Sequence, residues 1–210
     1  MSQSLLSRLA GPFALSAGVL MVGAQLVMLP FDPKDHVATS TALAFQLGGV
    51  AYMLGFVVLM LFVVASHEWL EAGAGRLGVA ATIAAVVGTM ALGGDLWFET
   101  FAVPWLADEA PSAFDTDPPL LLALGAIASY LLFAVGWVLY GVASLRAHVP
   151  VALSVAVVIG GGLGFQALLS PWGVPLGLAV GALGVWLIRT KTAPDDLRAA
   201  GADSTEPVIP

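Results

Sequence analysis

The chain has 210 residues, of which 59% are hydrophobic and only 10% charged. A soluble globular domain carries about a quarter charged residues, so lipid is the solvent this composition calls for. The net charge of -7 argues against nucleic acid as a partner, because phosphate binding needs a basic surface, and the lack of cysteine removes disulfides, thiolate metal sites and cysteine nucleophiles.

Six apolar runs, at 9–30, 42–66, 77–103, 119–145, 151–170 and 172–188, read as membrane helices. Each reaches or approaches the roughly 20 residues needed to cross a hydrocarbon core about 30 Å thick. Helices satisfy every backbone amide within the segment, and no run alternates as a barrel strand does. The expected fold class is therefore all-α: a polytopic membrane helical bundle of six transmembrane helices over residues 1–189. The polar segment 190–210 lacks apolar periodicity and is expected to be a disordered cytoplasmic tail. Arg8 and the Val22-Gly23-Ala24 sequence give the first run the look of a secretory signal. Its apolar stretch is too long for a signal core, so it is expected to stay in place.

Orientation follows from the basic residues. With a cytoplasmic N-terminus, Arg8, Arg76, Arg146, Arg189, Lys191 and Arg198 all fall inside and Lys34 falls outside. That bias predicts both termini in the cytoplasm (N-in/C-in) of a cell's plasma or inner membrane. The outer loops then carry Asp32, Asp35, Asp108, Glu109, Asp115 and Asp117. A faint repeat runs through the chain: Gly23-Ala24-Gln25, Gly93-Gly94-Asp95 and Gly164-Phe165-Gln166 near outer helix ends, and Tyr52 and Tyr130 before Ser66 and Ser144. It would suit three tandem helical hairpins.

Depth singles out a few polar side chains. At 1.5 Å per residue, Gln25, Gln46, Asp95 and Gln166 lie roughly 5–12 Å below the outer ends of their helices. Glu99 follows Asp95 by one turn, and Tyr52 and Tyr130 lie somewhat deeper. If all seven face the bundle interior, they line one pocket open to the outside. No Lys or Arg falls inside a span to pair with Asp95. An Asp at mid-membrane costs about 2.5–3.5 kcal/mol on insertion scales, less toward the interface. The expectation is that Asp95 and Glu99 share a proton or bind a cation. The plainer alternative takes Trp97, Phe98 and Trp105 as the outer aromatic belt, which leaves Glu99 among the headgroups and Asp95 hydrogen-bonded between helices.

Other motifs say less. His67 and Glu71 have i, i+4 spacing, yet the second His of a zinc-protease pattern is missing. No intramembrane His pair supports haem, and no Lys within a span would hold a Schiff base, so no metal and no cofactor are expected. The acidic loop 108–118 lacks the ligand spacing of a calcium loop. Gly160, Gly161, Gly162 and Gly164 suit either close helix packing or a hinge beside Gln166, as Gly48, Gly49 and Gly55 suit packing on the second helix.

Three functions stay open. One is a protein handling a small solute, ion or proton at a pocket around Asp95 and Glu99. Another is a non-catalytic accessory or scaffold subunit, in a homo- or hetero-oligomer, packing through its glycines. The last is an intramembrane lipid binder or lipid-modifying enzyme using the two acids. The lipid bilayer is a partner in all of them.

Overall fold

The computed structural model describes residues 5–31, 35–168 and 171–202. Asp32, Lys34, Ser170 and the part of the tail beyond Ala202 lie outside the described residues. The elements in order are α1 (Leu5–Arg8), α2 (Ala10–Met28), α3 (His36–Thr41), α4 (Leu43–Ala74) and α5 (Arg76–Trp97). A π-helical turn (Phe98–Ala102) leads into α6 (Val103–Glu109), and a 3-10 turn (Pro111–Asp115) precedes α7 (Leu120–Arg146). Then come α8 (Val151–Leu163), a second 3-10 turn (Gly164–Gln166) and α9 (Val174–Ala202). Among the described residues there is no strand.

Four helical segments are long and apolar enough to cross a membrane: Ala10–Met28, Leu43–Ala74, Arg76–Glu109 and Leu120–Arg146. Val151–Gln166 and Val174–Thr190 are apolar but shorter. The fold is an all-α bundle compatible with a multi-pass membrane protein, with four helical segments long and apolar enough to cross a membrane and two shorter apolar stretches.

Several boundaries differ from the sequence reading for identifiable reasons. The second helix runs on to Ala74 because His67, Glu68 and Glu71 end the apolar pattern without ending the helix. It stops at Gly75, whose φ of +59° is costly for any side chain, and Arg76 starts the next helix at once. The third helix continues past Val103 to Glu109 through the π turn. Pro104 offers no N–H to the Thr100 carbonyl and its ring crowds that oxygen; the ladder widens instead, with Val103 N–H donating to Phe98 O. The fifth helix ends at Leu163 rather than 170, where the Gly164 N–H turns back onto the carbonyls of Gly160, Gly161 and Gly162. The last helix extends to Ala202, beyond the boundary at 188.

Consecutive long helices run antiparallel and side by side, and α9 returns to pack on α2, which closes the ring. Small residues set the spacing. A Cβ at Gly18 of α2 would stand 2.5 Å from the Gly177 carbonyl of α9, and one at Gly161 of α8 would stand 2.7 Å from the Trp137 Cβ of α7. Gly88 of α5 lies against the Leu132 and Phe133 backbone of α7. The buried face of α2 (Ala10, Gly11, Ala14, Ala17, Gly18, Met21, Ala24, Gln25 and Met28) shows the same logic as a stripe at spacings of three and four.

Aromatic side chains of α4 and α7 fill the centre of the ring. Ring centroids are 5.1 Å apart for Tyr52 and Phe56, 5.4 Å for Phe56 and Phe133, and 6.2 Å for Phe133 and Trp137. The ladder continues at 5.2 Å from Trp137 to Tyr140 and 5.7 Å from Tyr140 to Phe62. All six residues are buried. The outer surface is the reverse, with Leu120, Leu121, Leu43, Met90 and Val19 each more than 60% exposed, an apolar surface that water would not tolerate.

The antiparallel order puts Arg8, Arg76, Arg146 and Arg189 at one end of the bundle, where Trp69 and Trp186 also meet. Asp35, Asp108, Glu109, Asp115 and Asp117 fall at the other.

Candidate functional site

The seven polar residues expected to share a pocket occupy four surroundings, all in the acidic half of the bundle. Asp95 sits in the last turn of α5, half-buried, and faces α7. The Ser129 hydroxyl donates to its Oδ2, and the same hydroxyl lies 2.8 Å from the Ala126 carbonyl of its own helix. Glu99, one turn on, falls within the π turn and is exposed. Tyr130, beside Ser129 and half-buried, lies within electrostatic reach of both acids.

Gln25 and Tyr52 form a second group. Both are fully buried and both donate to the Ala167 carbonyl, Gln25 Nε2 at 3.1 Å and the Tyr52 hydroxyl at 2.8 Å. That carbonyl lies just past the second 3-10 turn. The two side chains therefore lock the connection between α8 and α9 into the bundle. Gly173 lies close beside them: a Cβ there would run into the Tyr52 hydroxyl and come within 3.1 Å of Gln25 Nε2.

Gln46 is engaged elsewhere. Its Nε2 donates to Ser40 O at 3.0 Å, which ties α4 to the end of α3. Gln166 is exposed. It lines an open groove of about 290 Å³ with Gly162, Leu163, Phe165 and Trp172. The structure thus brings Asp95, Glu99 and Tyr130 to one place and Gln25 and Tyr52 to another, with Gln166 in the groove and Gln46 apart. Tyr130 links two of these places, since its ring lies 6.3 Å from that of Phe165.

Ser129 is the site residue that sequence reasoning missed. A lone serine in a membrane helix ordinarily bonds back to its own helix, so no spacing marked it as the partner of Asp95. The same holds for two polar contacts deeper in the bundle: Trp137 Nε1 donates to Thr89 Oγ1 at 3.1 Å, and the hydroxyls of Ser66 and Tyr140 lie 2.6 Å apart. These satisfy buried polar atoms within the aromatic ladder.

Gly160 and Gly161 pack against Leu176 and Trp137, and Gly164 lies under the Phe133 ring, while Gly162 has no atom within 4 Å of where its Cβ would stand. His67 and Glu71 approach to 3.5 Å at the arginine end, with Thr82 Oγ1 at 3.4 Å from the imidazole. Among the described residues no group of three or more His, Cys, Asp or Glu gathers as metal ligands.

Compared with known protein families, with curated proteins and with solved structures, the chain shows no match.

Proposed function

We propose that this chain is a six-span protein of the plasma or inner membrane, with both termini cytoplasmic, that binds a proton or a small cation at Asp95 in the outer leaflet. One observation carries the reading: the two-acceptor position of Ser129. Its single hydroxyl proton has the Asp95 carboxylate on one side and the Ala126 carbonyl on the other. An ionised Asp95 leaves one of those contacts without a proton. A proton carried by Asp95 and donated to Ser129 Oγ lets Ser129 donate to Ala126, so that both contacts are made. No Lys or Arg occurs between Arg76 and Arg146, so no basic side chain of α5, α6 or α7 competes for the acid in that leaflet. Glu99 and Tyr130 tune the site, and the acidic loop beyond it concentrates cations at its mouth.

The aromatic ladder closes the centre of the ring, so a proton or cation bound here exchanges with the outer face without a continuous watery path across the bundle. The clustering of arginines at the opposite end supports the orientation.

Infrared spectroscopy tests the site. Wild type should show a pH-dependent protonated-carboxyl band that disappears in Asp95→Asn; identical spectra would end the proposal. The chain has no cysteine, so single-cysteine labelling in intact cells tests the orientation directly. Ser112→Cys, exposed at the acidic end, should react with an impermeant maleimide, and Ala72→Cys, exposed at the arginine end, should react only after permeabilisation.

A second reading, a non-catalytic accessory subunit, draws on the outer end of α7. Leu120 and Leu121 are 73% and 84% exposed there, and a Cβ at Gly125 would touch nothing. That version expects a stoichiometric protein to co-purify and Asp95→Asn to be neutral.

A further inference from the structure

We infer that the Asp95 site extends into the neighbouring groove and that together they take a lipophilic organic cation, an amine or onium ion with an apolar body. This rests on Asp95 being the site proposed above, with the organic cation binding the ionised carboxylate in place of the proton.

The groove exists because α8 is short. Its glycines end the helix at Leu163, and Gly164 sits level with Phe133 of α7. From Phe133, α7 rises about 20 Å further to its start at Leu120. A notch is left beneath that overhang, walled by Gly162, Leu163, Phe165, Gln166 and Trp172, with a volume of about 290 Å³. Its walls are apolar or aromatic apart from one amide, and the Phe165 and Trp172 rings are 46% and 43% exposed.

Charge complementarity selects the occupant. None of the five residues lining the groove is charged, so the groove itself offers an anion no basic partner. The Tyr130 ring lies 6.3 Å from that of Phe165, tilted at 59° to it, and lies within electrostatic reach of Glu99 and Asp95. Aromatic faces beside a carboxylate recognise a cation through the ring quadrupole and the opposite charge together, and the effect grows as water is excluded. An anion would meet repulsion from both acids. A neutral lipid chain would fill the groove without using them. The groove takes one arm of the apolar body while the rest lies in lipid, and the cationic centre sits over Tyr130 toward Asp95.

Tetraphenylphosphonium and tetraphenylborate have the same shape and opposite charge, which makes them suitable probes. Equilibrium binding to protein in phosphatidylcholine nanodiscs, corrected for empty nanodiscs, should show the cation bound and the anion not. Asp95→Asn and Phe165→Ala should each weaken the cation by about tenfold, the size expected of a desolvated cation–π or ion-pair contact. Gly162→Leu adds a side chain where no atom stands within 4 Å, so it should fold normally and block binding. Equal binding of the two probes would overturn the inference in favour of an apolar lipid site, and so would cation binding indifferent to Phe165→Ala and Gly162→Leu. Neither groove variant should abolish the Asp95 carboxyl band. A retained band with failed cation binding sinks the groove alone, whereas a missing band in wild type sinks the Asp95 reading itself.

Discussion

Ser129 carries one hydroxyl proton and stands between two acceptors, which makes its exchange the sharpest probe of the site. Ser129→Ala removes the hydroxyl that meets the Asp95 carboxyl group while leaving α7 helical, since alanine is the best helix former. Interhelical hydrogen bonds in membranes average about 0.6 kcal/mol and reach about 1.7. A double-mutant cycle of Ser129→Ala with Asp95→Asn, read by reversible unfolding in detergent, should return a coupling of about 0.6–1.7 kcal/mol. Additive effects would mean that the two side chains do not interact. Asp95 was legible in the sequence because a charge inside an apolar run has few innocent explanations. Its partner was not, because a hydroxyl that also bonds its own helix looks like any other serine. Gln25 shows the same asymmetry. Its burial could be expected from depth, but its acceptor is the backbone carbonyl of Ala167, and a backbone acceptor leaves no trace in the residue types.

Helix identity was readable from the apolar runs, whereas helix length was not, because hydropathy reports where lipid ends and the ladder ends elsewhere. The polar turn at His67–Glu71 continues α4 beyond its apolar run, and the glycines after Ile159 end α8 early inside an apolar run. Those glycines also divide into two kinds that the sequence cannot separate. Gly88 lies against the α7 backbone, which cannot yield as a flexible side chain would, whereas Gly162 faces the open groove. Gly88→Ala should therefore force α5 and α7 apart and lower thermal stability by roughly 1–3 kcal/mol, the usual cost of overpacking. Gly162→Ala should be neutral or gain about 0.5–1 kcal/mol from helix propensity. Melting curves of the two variants in one detergent decide it, and equal effects would mean that the two glycines share one environment.

The closed ring follows from the packing of α9 on α2, through glycines far apart in the chain that no local pattern connects. Its consequence is a core of the two central helices' aromatic rings instead of a polar channel. Tyr52, Phe56, Phe133, Trp137, Tyr140 and Phe62 form a buried run of ring contacts. The polar atoms within it are paired with neighbours such as Thr89 and Ser66. A water-filled path would have to break these contacts, and apolar voids of this kind stay dry even when a side chain is removed. The protein reconstituted in planar bilayers should accordingly carry no steady ionic current. Phe133→Ala should cost about 3–5 kcal/mol in stability through the cavity it leaves, and it should still conduct nothing. Melting temperature and current measured on the same preparations separate the two effects. A current in wild type would show that the ladder opens, and the site at Asp95 would then be the mouth of a path across the membrane and no longer a pocket that exchanges with one face.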